Sequence, residues 1–216
     1  MYPNVSSAGT ADAGNLASLI QAVETADSKA AIVNAVWRLA AARHPDGIPT
    51  LIQVLGYNNP GAAVAAVEGL VMLGQASVPA LLEQLDGYNY GARAWAIRAL
   101  ALIRDPRALD ILLDTASGDF ALSVRRAAAK GLGTLDWQQM HPDRVPSAQA
   151  QALNTLLVVT QDPEWVVRYS AIVGLEALAQ VSPLKPRILP QLQNLAIEDE
   201  VLAVQARSQM AIDNIS

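Results

Sequence analysis

The chain has 216 residues, with 15 Lys and Arg against 20 Asp and Glu for a formal net charge of −5, and no cysteine. That balance sets its overall field against phosphate backbones and anionic membrane surfaces, and the missing thiols exclude disulfides, thiolate metal sites and a cysteine nucleophile. With 52% hydrophobic residues, 5% aromatics and abundant alanine, the composition points to closely packed helices and away from a β-sandwich.

The N-terminal stretch MYPNVSSAGTADAGN has neither a basic region nor an apolar core. No signal peptide is expected, and residues 1–14 are read as a flexible segment ahead of a single domain over 15–216. A first helical hairpin is expected from Leu16 to Gly47, a second from Ile48 to Ser77 and a third from Val78 to Arg107. The basis is self-comparison. Shifted by 61 residues, Ala35–Ile52 lies on Ala96–Leu113, with Arg43 on Arg104 and Pro45 on Pro106, so the shift spans two repeats of about 30 residues. Within the second hairpin the longest apolar-rich run, Gly61–Gly74, includes Glu68 and is too short to cross a bilayer. A soluble protein of a reducing, cytoplasmic compartment is expected.

Three looser units follow: Ala108–Ser147, with the extended tail DWQQMHPDRVPS, then Ala148–Pro186 and Arg187–Ser216. Arg93, Arg125, Arg168 and Arg207 are read as equivalent second-helix residues, each three positions before the small or apolar residue at 96, 128, 171 and 210. The expected fold is all-α, a right-handed α-solenoid of about six HEAT-like helical-hairpin repeats. Ala92, Ala96, Ala99, Leu100 and Ile103 recur at helical spacing, and small residues in such a stripe let neighbouring helices approach closely.

Catalytic motifs are sparse. His44 and His141 both precede proline in predicted turns, without a second histidine at ligand spacing, and no metal is assigned to them. No phosphate-binding glycine loop, GxSxG or HExxH occurs. Asp105 and Asp162 sit beside prolines, where aspartate commonly bonds the backbone, and the alternative is a carboxylate pointing into a groove. Glu198, Asp199 and Glu200 read as a solvated turn or helix start.

One segment stands apart. Tyr88–Arg98 packs Tyr88, Tyr90, Trp95, Arg93 and Arg98 into eleven residues of a chain otherwise poor in aromatics. With a helix starting near Gly91, Trp95, Arg98 and Leu102 share a face distinct from the alanine stripe. Trp95 has two readings, packing between repeats or lining a ligand face. Arg93 has counterparts in other units and so reads first as structural. Aromatic area with guanidinium groups suits a flat, conjugated, anionic ligand.

The string YNYGARAWAIRALALIRDPRAL (Tyr88–Leu109), together with the repeat period, resembles the E/F-type phycobilin lyases, and length and layout are similar to the β-type subunits of that family. The resemblance implies a lyase subunit that acts in a heterodimer with a CpcE-like α subunit. Together they would attach phycocyanobilin, a substrate and not a permanently bound cofactor, by a thioether to a cysteine of the phycocyanin α subunit. It implies bilin or partner contact for Tyr88, Tyr90, Arg93, Trp95 and Arg98, with Asp105 as the candidate carboxylate for the pyrrole nitrogens and for protonation. The isomerising branch of the family uses a His-Cys motif, which this chain lacks, so isomerase activity is not expected. A non-enzymatic adaptor that binds phycobiliproteins is the alternative reading. A DNA glycosylase on the same repeat type would need a basic groove, against the charge balance.

Overall fold

The computed structural model describes residues 8–86 and 90–216. Twelve α-helices occur among them, and no strand: α1 (Ala8–Glu24), α2 (Lys29–Ala42), α3 (Ile48–Leu55), α4 (Pro60–Leu73), α5 (Val78–Glu83), α6 (Tyr90–Ile103), α7 (Leu109–Gly118), α8 (Leu122–Thr134), α9 (Val145–Val159), α10 (Trp165–Val181), α11 (Lys185–Glu198) and α12 (Leu202–Ile215). α1 packs on α2, α3 on α4, α7 on α8, α9 on α10 and α11 on α12, as chain-order hairpins. The even-numbered helices are the second arms that the alanine and arginine patterns pointed to. α1 begins at Ala8 and so includes residues 8–14.

Local chemistry sets the boundaries. α2 starts at Ser28, whose side chain accepts a hydrogen bond from the Ala31 N–H, and α4 starts at Asn59, which does the same for Ala62. Several first arms open on an apolar or long residue followed by proline, as in Ile48-Pro49, Val78-Pro79 and Val145-Pro146. There the missing N–H of proline costs nothing, because the first turn has no internal acceptor for it. The turns that join one hairpin to the next repeat across the 61-residue shift. Arg43 and Arg104 both adopt the left-handed conformation, at φ 50° and 64°, each followed by a 3-10 turn led by Pro45 or Pro106.

The chain divides into two compact units within α6, Met1–Ala99 and Leu100–Ser216. In the first, α4 is the central helix: Ala62, Ala63, Ala65, Ala66, Val67 and Leu70 are all at most 1% exposed. Its Gly69 faces Ala40 of α2 so closely that an added Cβ would lie 2.7 Å from the alanine Cβ. In the second, the core is a leucine-rich seam in which Leu112, Leu132, Leu153, Leu156, Leu175 and Leu192 are fully buried.

The tightest approach lies between α8 and α10. A Cβ built on Gly133 would lie 1.9 Å from the Gly174 carbonyl oxygen, and one built on Gly174 would lie 2.5 Å from the Ala129 carbonyl oxygen. Backbone is on both sides, so no side-chain rotation relieves the clash. Gly133→Ala is therefore expected to cost about 2–3 kcal/mol or more by forcing two second-arm helices apart. Urea denaturation checks this against Gly118→Ala, where nothing lies within 4 Å of the added Cβ and stability should hold or rise slightly.

Candidate functional site

α6 divides its residues between two faces. Ala92, Ala96, Ala99 and Leu100 are at most 1% exposed, as the small-residue stripe requires. Trp95 is half-buried, Arg98 is exposed, and Leu102 further along the helix is 44% exposed. The Arg98 guanidinium carbon lies 5.8 Å from the centroid of the Trp95 ring, within the range of a cation–π contact. Arg98 forms no ion pair among the described residues. The face therefore presents a half-buried indole and a guanidinium with donors to spare, the combination suited to a planar anion.

The remaining nominated residues are placed differently. Tyr88 lies outside the described residues, and Tyr90 opens α6 with its side chain also outside them. Arg93 is half-buried, and its place in α6 is that of Arg125 in α8 and Arg168 in α10, a quarter-turn or more away from the Trp95 and Arg98 face. Asp105 is only 3% exposed. Its Oδ1 accepts from the Arg107 backbone N–H and from Arg107 Nε, both at 2.9 Å, and its Oδ2 accepts from Arg107 Nη2 at 2.7 Å. The hydrogen bonds from the Arg107 side chain hold this carboxyl below its ordinary range, against the opposing effect of burial. An ionised carboxylate capping its own turn is a structural group, and it offers no proton at neutral pH. His44 likewise serves its turn, Nδ1 accepting from the Asp46 N–H at 3.2 Å, while His141 is exposed beside Asp143.

The second unit contains a ladder that links its hairpins. Arg125 donates from Nη1 to the carbonyls of Asp119 and Phe120 in its own loop, at 2.8 and 3.1 Å, and grips Asp162 of the following loop bidentately at 2.7 and 3.1 Å. Arg168 repeats the pattern one hairpin on. It donates to the carbonyls of Asp162 and Pro163 at 2.9 and 3.3 Å, and to both oxygens of Asp199 at 2.8 and 2.9 Å. Each loop aspartate also accepts from a backbone N–H two residues on, at Ala121, Glu164 and Val201.

Two expectations change here. Asp199 is not a solvated turn residue, since its side chain is 4% exposed and paired, whereas Glu198 and Glu200 are exposed. Nor is Arg207 the fourth equivalent arginine. The ladder residue follows its loop aspartate by six positions, which in the last hairpin is Gln205, and its Nε2 donates to the Asp199 carbonyl at 2.7 Å. Arg207 sits two residues further along α12, paired with Glu176 and 5.8 Å over the Tyr169 ring, while Asn214 donates to the same glutamate at 2.8 Å. The six-residue spacing from Asp119, Asp162 and Asp199 was the signal that separates the two.

Arg168 holds the Asp199 carboxyl below its ordinary 3.8, principally through the side-chain hydrogen bond and against the effect of burial. A depressed folded value means that this pair stabilises the fold above the unfolded pKa and loses that contribution as pH falls through the folded one. Arg168→Met should cost about 3–5 kcal/mol at neutral pH by leaving a buried carboxylate unpaired. Without its partner Asp199 is governed by desolvation, which raises its pKa. The variant's deficit should therefore shrink as pH is lowered toward 4, measured as urea midpoints of the two proteins across pH.

HEAT repeats match residues 16–87 and 78–176. A phycocyanin alpha phycocyanobilin lyase, CpcF, of Synechocystis sp. is 54% identical over 198 residues, covering 91% of this chain and 92% of the relative. The phycocyanobilin lyase subunit beta of Pseudanabaena tenuis is also 54% identical over 198 residues, covering 89% of this chain and 70% of the relative. Among solved structures, a chain in the complex of CpcE and CpcF of phycocyanin lyase from Nostoc sp. is similar at a TM-score of 0.74 and 53% identity, covering 77% of this chain and 98% of that one.

Proposed function

The chain belongs to the HEAT-repeat family of phycocyanobilin lyase beta subunits, and from that premise we propose that it works in a heterodimer with a CpcE-like α subunit to attach phycocyanobilin to the phycocyanin α subunit in the cyanobacterial cytoplasm. The thiol is the acceptor's. Its sulfur bonds the exocyclic ethylidene carbon of ring A, and the adjoining ring carbon gains a proton to balance the one the thiol gives up. A chain without cysteine is suited to this reaction, because it offers no competing thiol of its own.

The bilin reacts with thiols unaided, so the lyase contributes position: one conformation held, one carbon presented to one sulfur. The observation that supports a role for α6 is the exposed Arg98 guanidinium at cation–π distance from Trp95, without a carboxylate partner among the described residues. Arg98 pairs with a propionate and the indole takes the pyrrole plane. Tyr88 and Tyr90 stand nearby in sequence as further contacts, whereas Arg93 lies round the helix from this face and is not given a bilin contact. Asp105, committed to Arg107, is not given a proton-transfer role.

The test is co-expression with the α-type partner and apo-phycocyanin α in bacteria that make phycocyanobilin, reading covalent bilin by zinc fluorescence on a denaturing gel. Wild type should give a fluorescent α band that requires this chain. Arg98→Gln and Trp95→Ala should each lower the initial rate about tenfold, the scale of losing one charge-assisted contact or one stacking surface. A wild-type band unchanged by either substitution removes α6 from the site. No band from wild type, with a stable complex to the phycobiliprotein, favours the adaptor.

A further inference from the structure

The loops that the ladder clamps end in exposed apolar side chains. Phe120 is 71% exposed, Leu122 42%, Trp165 44%, Ile197 73% and Leu202 78%. Leu122, Trp165 and Leu202 each stand three residues after a loop aspartate, at the start of α8, α10 and α12, so they recur at one position in successive hairpins. Because Arg125 joins the first loop to the second and Arg168 the second to the third, these side chains lie along one edge of the second unit.

These loops are built rigidly. The Phe120 carbonyl is itself held by Arg125, that of Pro163 by Arg168, and the Asp199 carbonyl by Gln205. Exposed apolar tips on clamped loops lose little conformational entropy on burial, which is the property of a surface prepared for docking. The three segments 117–123, 161–167 and 196–203 contain no Lys or Arg. Asp162 and Asp199 are neutralised by the ladder and Glu200 lies 3.6 Å from Arg168 Nη2, which leaves the exposed Glu164 and Glu198 as a negative rim.

We infer that this edge seats the partner α subunit through an apolar strip flanked by lysine or arginine on that protein, an assignment that rests on the heterodimer proposed above. The bilin does not fit here, since its propionates meet the glutamates. An acceptor protein that leaves after each reaction is a poorer occupant than a lasting one, because permanent interfaces are the more apolar class.

The experiment measures the affinity of purified chain for the purified α-type partner, with Phe120→Glu/Leu202→Glu and with Glu164→Lys/Glu198→Lys, each checked for an unchanged melting profile. The apolar-to-acidic variant is expected to bind at least about tenfold more weakly, the loss typical of removing central anchors. The acidic-to-basic variant should also bind more weakly, and more so at low salt. Should the double variant melt early, Leu202→Ser at the most exposed of the five positions repeats the measurement. Wild-type pairing with all variants equal to it overturns the surface assignment alone. Wild type that does not pair at all overturns the heterodimer and the assignment with it. Variants that keep the partner but no longer capture apo-phycocyanin α also overturn it, giving the edge to the acceptor.

Discussion

The second unit depends on a buried arginine that serves two loops at once. Arg168 satisfies carbonyls of its own hairpin and the aspartate of the next, and Arg125 does the same one step earlier. Without the guanidinium, a carboxylate would be left in the interior with no counter-charge and only one backbone N–H, and loop carbonyls would lose their side-chain donor, which is far more costly than the net worth of any single hydrogen bond. Arginine is suited to this position and lysine is not, because only the planar fork reaches two acceptor directions simultaneously. The chain of contacts fixes each hairpin against the next in both position and rotation. The exposed loop tips inherit that order.

Helix spacing is the complementary constraint. Gly133 and Gly174 bring α8 and α10 to backbone contact, and Gly69 does the like for α4 against α2 in the first unit. Small residues at second-arm contacts leave the opposite faces of these helices free of packing duty. On α6 that freedom is visible in Trp95 and Arg98, which lie off the buried alanine stripe. A repeat fold thus places stability in its inner stripes and inter-loop ladder, and leaves the residues pointing away from them available for recognition.

Much of this was legible in the sequence because repetition makes weak signals reinforce each other. The 61-residue shift placed Arg43 on Arg104, and both prove to be left-handed residues before a proline-led turn. The two faces of α6 followed from helical periodicity alone. Asp199 was not legible in isolation, since a Glu-Asp-Glu run looks solvated until its six-residue relation to Gln205 is compared with Asp162 and Arg168. Arg207 misled because an arginine is a stronger signal than the glutamine that holds the equivalent place. Asp105 looked available because sequence shows a carboxylate beside a proline and does not show that Arg107 folds back onto it. The approach of Gly133 to Gly174 is a contact between hairpins, and no local pattern announces it.

Pairing of Arg98 with a bilin propionate is tested most directly by equilibrium binding of phycocyanobilin and of its dimethyl ester to the heterodimer, for wild type and Arg98→Gln. If the pairing exists, wild type should discriminate against the ester by about tenfold or more, and the variant should bind acid and ester nearly alike. Equal discrimination in both proteins would place the propionate contact elsewhere and contradict the assignment.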